Sequence, residues 1–293
     1  MSGLDQIDAN LTGTALLAAL AGIGLGIGVL TGLFGVGGAF LMNPVLIVAL
    51  GIDQSLVVGS SLCFTIGTAS SGLSRHLRLK NVDVRTLLFV ALGASLGAVL
   101  GTRLHESLRA AMEAGSFKLT ILWCYLFMLL GTAWLVARKP SEKHGGKSLL
   151  QRLPLPPRID LPHAGLTTVS LPGLLAVGVL IGTVSGLLGI GGGVLLMPLM
   201  LLVVGLTAHQ AVGTGLGVIL FGSMVGTTEH GLAGNVSLWI AMPPLVGSVI
   251  GVQVGARICD RLHARRLRQY FAVVVLLATV LVAADIARRM TAG

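Results

Sequence analysis

Two glycine-rich stretches carry the most suggestive chemistry in the chain. Gly32–Pro44 reads GLFGVGGAFLMNP and Gly186–Pro198 reads GLLGIGGGVLLMP, with seven of thirteen positions identical. Each stands between two apolar segments. Non-helical backbone is tolerated at membrane depth only where it is buried in protein or lines a cavity. A helix that starts at such a break presents free N–H groups and a positive dipole end, which attract an anion. Gly37, Gly38 and Ala39, with Gly191, Gly192 and Gly193, are therefore candidate substrate-binding positions. The plainer alternative is a glycine turn that only packs.

A second group could add donors. Ser61, Thr65, Thr68, Ser71 and Arg75 recur every three or four residues, which is one helical face. Hydroxyls donate to anionic oxygens, and a guanidinium fork matches a planar or trigonal set of them. Serine and threonine also bond across packed transmembrane helices, so a structural role competes. The corresponding residues of the second stretch are Gly215, Ile219, Gly222, Val225 and Glu229, so a single site would lean on the first half. Arg75-His76 and Glu229-His230 close these two segments. Histidine titrates near neutral pH, which makes His76, Glu229 and His230 candidates for gating or proton coupling. Snorkelling of segment ends to the headgroups is the competing reading.

Other chemistries find little support. Cys63, Cys124 and Cys259 are odd in number and not closely spaced, and the first two lie inside apolar runs, so neither a zinc site nor a disulfide framework is supported. Gly145–Ser148 reads GGKS but lacks the earlier glycine and the preceding strand of a phosphate loop. No metal or other cofactor is expected.

The elements that must position these residues follow from composition. Of 293 residues, 54% are hydrophobic and only 11% charged, with a mean hydropathy of +0.92. Soluble domains carry about 25% charged residues. The chain could not cover a water-facing surface, which excludes a cytosolic enzyme, a disordered protein and a secreted disulfide scaffold. The net charge of +9 sits between apolar segments, where it sets topology in the lipid bilayer; no nucleic-acid partner is expected. The first ten residues are acidic rather than basic, so the first apolar segment is expected to be retained.

Ten apolar segments can be drawn: 11–34, 39–51, 54–74, 84–102 and 117–137, then 172–188, 193–206, 208–228, 236–256 and 269–287. The second of each five is short for a span of about 20 residues. One offset of 154 pairs Gly51 with Gly205, His76 with His230, Asn81 with Asn235 and Arg103 with Arg257. Chance similarity between apolar helices would not hold register at polar positions. The expected organisation is a first transmembrane repeat over 1–137, a proline- and lysine/arginine-rich cytoplasmic linker over 138–171, and a second repeat over 172–293. If all five segments of a half cross, the halves are inverted, and fifteen Lys and Arg fall inside against five outside. If the short segments only re-enter, the halves are parallel and the split is poorer. The fold class is thus an all-α polytopic membrane protein with two homologous halves. Inverted-topology repeats of five segments, each with a glycine-rich break, fit it best. Such repeats are typical of secondary transporters. Gly93-Gly97-Gly101 and Gly247-Gly251-Gly255 read as close helix packing, within one chain or across a homodimer.

A glycine-rich break of this form, repeated near the start of each half, resembles the TauE/SafE sulfite-exporter family. The resemblance covers nearly the whole chain apart from the linker. It implies a secondary transporter of the bacterial inner membrane that exports small sulfur-containing anions, such as sulfite or organosulfonates, by alternating access. One departure is Ala39, where the second half has Gly193; close approach of substrate there would find the first half less accommodating. The alternatives are a passive channel and an intramembrane enzyme. A channel with paired half-helices is suggested by Asn43-Pro44 and weakened by Met197-Pro198 in the second half. An enzyme lacks a serine–histidine or zinc-ligand spacing.

Overall fold

In a computed structural model of the chain, residues 13–49, 51–137, 148–153 and 155–292 are described. The first half forms α1 (Gly13–Phe34), a short α2 (Ala39–Pro44) that runs into a π-turn over Val45–Ala49, α3 (Gln54–Arg78), α4 (Val84–Ala111) and α5 (Ala114–Ala137). After the one-turn α6 (Leu149–Arg152) and a two-stranded antiparallel hairpin, β1 (Arg158–Leu161) and β2 (Leu166–Ser170), the pattern returns. It comprises α7 (Leu171–Leu188), a short α8 (Gly193–Leu199) with a π-turn over Met200–Val204, α9 (Ala208–Leu232), α10 (Leu238–Arg261) and α11 (Ala264–Ala292). Eight of these helices are long and apolar enough to cross a membrane; α2 and α8 are not.

Local signals set the boundaries. Asp53 caps α3 by accepting from the N–H groups of Ser55 and Leu56, and Asp83 caps α4 at Thr86. Thr207 and Gln210 form a capping box at the start of α9. The turns after α3 and α9 are copies. Lys80 (φ 57°) and Gly234 (φ 74°) are left-handed, and the Asn81 and Asn235 N–H groups return to the His76 and His230 carbonyls. Pro44 and Pro198 each stand inside a short helix. Proline takes away a donor and crowds the preceding turn, and the chain widens into a π-turn directly after it.

Facing residues fix the helix directions. A Cβ on Gly24, Gly28 or Gly32 of α1 would meet the carbonyls of Pro244, Ser248 and Val252 in order, so α1 and α10 run parallel. Gly93, Gly97 and Gly101 of α4 meet Leu175, Val179 and Thr183 in the same way, so α4 and α7 are parallel. Both glycine series thus pack within the chain, the first helix of each half against the fourth of the other. α3 runs parallel to α10, since Gly67 meets Leu245 and Ser71 meets Val249 and Gln253. α3 and α9 are antiparallel: Gly59 faces Asn235, Gly72 faces Leu216, and Gly213 faces Asn81.

The outer faces are apolar. Leu88, Leu92, Leu96, Leu100 and Leu104 form an exposed ladder on α4, matched on α10 by Met242, Val246, Ile250, Val254 and Ile258. Such a surface is suited to lipid rather than water. The solvated linker expected over 138–171 is folded over its second part, while 138–147 lie outside the described residues. Leu150, Leu161 and Val169 are buried with Met200 and Val204, and Arg85 donates to the Asp160 carbonyl. Three well-placed apolar residues dock this stretch despite its prolines.

Candidate functional site

Both glycine breaks adopt one conformation. Gly35, Gly37 and Gly38 have φ of 69°, 75° and 86°, and Gly189, Gly191 and Gly192 have 67°, 67° and 70°. Left-handed backbone at three of four positions is strained for any residue with a Cβ, which is why these positions are glycine. The breaks bring α2 and α8 to start deep in the bundle, and neither N-cap, Gly38 or Gly192, has a side chain to satisfy the first N–H groups.

The breaks meet at the centre. A Cβ on Gly37 would lie 2.9 Å from Ile219 and 3.0 Å from Thr65; one on Gly191 would lie 3.1 Å from Thr65 and 3.4 Å from Ile219. Thr65 and Ile219 are equivalent residues near the middle of α3 and α9. The breaks also touch directly: a Cβ on Gly193 would lie 2.0 Å from the Val36 carbonyl oxygen. That contact explains why Gly193 stands where the first half has Ala39, which is itself fully buried.

The hydroxyl stripe holds this arrangement in place. Ser61 donates to the Gly189 carbonyl at 2.9 Å and Thr68 to the Gly37 carbonyl at 2.9 Å. Thr65 donates back to Ser61 within α3 and turns its methyl group to the breaks. All three are fully buried. In this conformation their protons are therefore committed to backbone carbonyls. Ser223, one turn beyond Ile219 on α9, has no such commitment. Its Oγ is fully buried, has no partner, and lies 3.6 Å from where a Cβ on Gly191 would be.

The remaining candidates lie away from the centre. Arg75 is ten residues beyond Thr65, roughly 15 Å along the helix, at the end where the hairpin docks; its Nε is buried and has no partner. His76 and His230 point their Nε2 atoms at the Gly32 and Gly186 carbonyls, at 3.2 Å and 3.0 Å. Each has an unpartnered buried Nδ1. Glu229 is half-buried near the opposite end of the bundle from Arg75. There a network closes around the turn after α9. Arg109 donates to Asn235 Oδ1 at 2.8 Å, and Asn235 Nδ2 donates to Glu106 at 2.6 Å. Arg109, in the last turn of α4, belongs to this latch. The equivalent residues at the other end are His263, Asn81 and Asp260, and there Asn81 Nδ2 has no partner. His105 stacks edge-on against His230 at 5.1 Å and is held by Ser55 and the Leu187 carbonyl. Among the described residues no group of three or more His, Cys, Asp or Glu could hold a metal ion.

Comparison with known proteins finds relatives along most of the chain. The family model described as "Sulfite exporter TauE/SafE" matches residues 20–282. A "Probable membrane transporter protein YjnA" of Bacillus subtilis is 27% identical over 256 residues, covering 87% of this chain and 95% of that protein. YunE of the same organism, also a probable membrane transporter protein, is 25% identical over 87% of this chain and 93% of its own length. A "Probable membrane transporter protein" of Xylella fastidiosa is 26% identical, covering 93% of this chain and 96% of that one. No solved structure matches.

Proposed function

The chain belongs to the TauE/SafE sulfite exporter family, and from that premise we propose that it carries small sulfur-containing anions, sulfite or organosulfonates, outward across a bacterial inner membrane by alternating access. The observation that carries this reading is the meeting of the two breaks against Thr65 and Ile219, midway along the bundle. Transport sites lie near the midplane, at the interface of repeats, where helices are interrupted. The anion would be received by the N–H groups at the starts of α2 and α8 and by the Ser223 hydroxyl. Arg75, at the mouth, would draw it in.

The two halves are read as inverted repeats of five crossings. Support comes from the equivalent helices α3 and α9, which run antiparallel. α1 and α3 each run parallel to α10, so the chain between them, with α2, must return over the same depth. The end bearing Arg75, Arg78, Lys80 and Arg85 is then cytoplasmic. The latch of Glu106, Asn235 and Arg109 has no counterpart around Asn81, so the two ends differ as alternating access requires. The test is flux of sulfite and of a small sulfonate in proteoliposomes, with and without a pH gradient. Saturable flux of either supports the reading. Unsaturable leakage of unrelated solutes would replace the transporter by a channel, and no flux of either anion would remove this substrate class.

A further inference from the structure

Behind each short helix lies a recess facing α5 and α11, and the two share the equivalent positions Asn43 and Met197, Pro44 and Pro198, and Ile47 and Leu201. The first is lined by Asn43, Pro44, Ile47, Gln54, Tyr125 and Leu188, among others. The second is lined by Met197, Pro198, Leu201 and Phe271, with Arg268. The offset that relates the halves turns Asn43 into Met197 and Gln54 into Ala208. The same architecture is therefore stable with apolar residues at both positions, and packing does not require the two amides.

The amides are also left incomplete. Asn43 is 2% exposed and Gln54 4%, and neither Asn43 Oδ1 nor Gln54 Oε1 has a partner. Burying an amide oxygen without a partner is costly. The orientation of Asn43 is fixed by chemistry: Nδ2 donates to the Leu188 and Gly189 carbonyls at 2.9 Å and 3.1 Å. A reversed amide would set oxygen against two carbonyl oxygens. The Tyr125 hydroxyl donates to the Phe40 carbonyl, the acceptor that Pro44 leaves without its helical N–H. Its oxygen keeps lone pairs for the recess. The Asn43 and Gln54 amide oxygens and the Tyr125 oxygen are acceptors left open at a recess that adjoins the C-terminal, negative end of α7.

We propose that this recess binds a sodium-sized monovalent cation. Oxygen-only sites suit hard cations, and a divalent ion would call for carboxylates, which this lining lacks. Freed carbonyls and helix C-terminal ends are the groups that hold sodium in discontinuous-helix transporters. Asn43 shares α2 with the first break and bonds to the Gly189 carbonyl of the second. An ion on its Oδ1 would therefore tie α2 to both breaks. Only this coupling role rests on the transport reading; the binding does not.

The experiment uses the full chain in detergent, with no anion substrate present. Thermal unfolding is followed while sodium chloride replaces choline chloride at constant ionic strength, and binding of radioactive sodium is measured in parallel. The expected result is a saturable rise in Tm for the wild type and a saturable bound-sodium signal. Both should be lost in Asn43→Met and in Gln54→Ala, which install the residues found at the equivalent positions of the second half. Gln54→Ala leaves the bonds from Asn43 to α7 intact and so guards against loss of fold. A wild-type Tm indifferent to sodium with no bound sodium, or variants that keep the wild-type sodium response, would overturn the proposal. Anion flux plays no part in either readout, so failure here is distinct from failure of the transport reading.

Discussion

At the residue scale the informative contrast is between hydroxyls that have a carbonyl and one that does not. Thr68 is fully buried and holds the first break through the Gly37 carbonyl. Ser223 is equally buried beside the second break and holds nothing. Removing one partner of a buried hydrogen bond costs about 1–3 kcal/mol, because the other is left unsatisfied. Thr68→Val should therefore lower Tm by several degrees. Ser223→Ala leaves no acceptor stranded and should keep or slightly raise Tm. If Ser223 meets the anion, the same substitution should weaken sulfite binding several-fold, as read by calorimetry in detergent. Unchanged affinity in Ser223→Ala would withdraw Ser223 from the site. The amino-acid order marks the face on which Ser61, Thr65 and Thr68 lie, and the structure keeps that face inward. It does not reveal where a hydroxyl proton goes, because the acceptors of Ser61 and Thr68 are carbonyls of the two breaks, 128 and 31 residues away. Ser223 is not marked out by order alone, because the positions of α9 equivalent to the stripe of α3 have lost their hydroxyls.

At the element scale the fold rests on two glycine zippers that join the halves. Helix backbones in the α1–α10 and α4–α7 pairs approach so closely that a Cβ would overlap a carbonyl of the partner. Small residues permit this approach, and van der Waals contact rather than the hydrophobic effect then holds helices together in lipid. The prediction uses two glycines of α1. A Cβ on Gly28 would lie 2.4 Å from the Ser248 carbonyl oxygen, whereas Gly26 has nothing within 4 Å. Gly28→Ala should push α1 off α10 and cost at least the roughly 1–3 kcal/mol of an overpacked core. Gly26→Ala should be neutral or gain up to about 1 kcal/mol from helix propensity. Thermal unfolding of both variants decides the point, and equal stabilities would mean that α1 can slide without penalty. The zippers were legible as close packing from the spacing of Gly93, Gly97 and Gly101. The choice of partner was not, since four helices carry the same four-residue spacing. Segment positions were legible because apolar runs and caps coincide. The docked hairpin was not, because its prolines and charges outweigh Leu150, Leu161 and Val169 in any compositional reading.

At the scale of the whole molecule, a duplicated chain whose equivalent helices run in opposite directions can expose one site to two sides in turn. Arg78 and Leu232 are equivalent residues at the ends of α3 and α9, and both are exposed, Leu232 at 83%. Single cysteines there, in a chain with Cys63, Cys124 and Cys259 replaced, should react with an impermeant maleimide from opposite faces of sealed, oriented vesicles. Reaction from one face would sink the inverted arrangement and restore re-entrant short segments. The difference between the ends then predicts which way the centre opens. The Arg75 end has an unpartnered Asn81 amide, whereas the Glu229 end is fastened through Glu106, Asn235 and Arg109. A cysteine at Ser223 should accordingly be labelled mainly from the face that labels position 78. Glu106→Gln weakens a charge-assisted bond, which is about twice as strong as a neutral one. It should raise labelling of that cysteine from the opposite face several-fold. A latch that merely packs would leave the labelling ratio unchanged, and the difference between the two ends would then carry no conformational meaning.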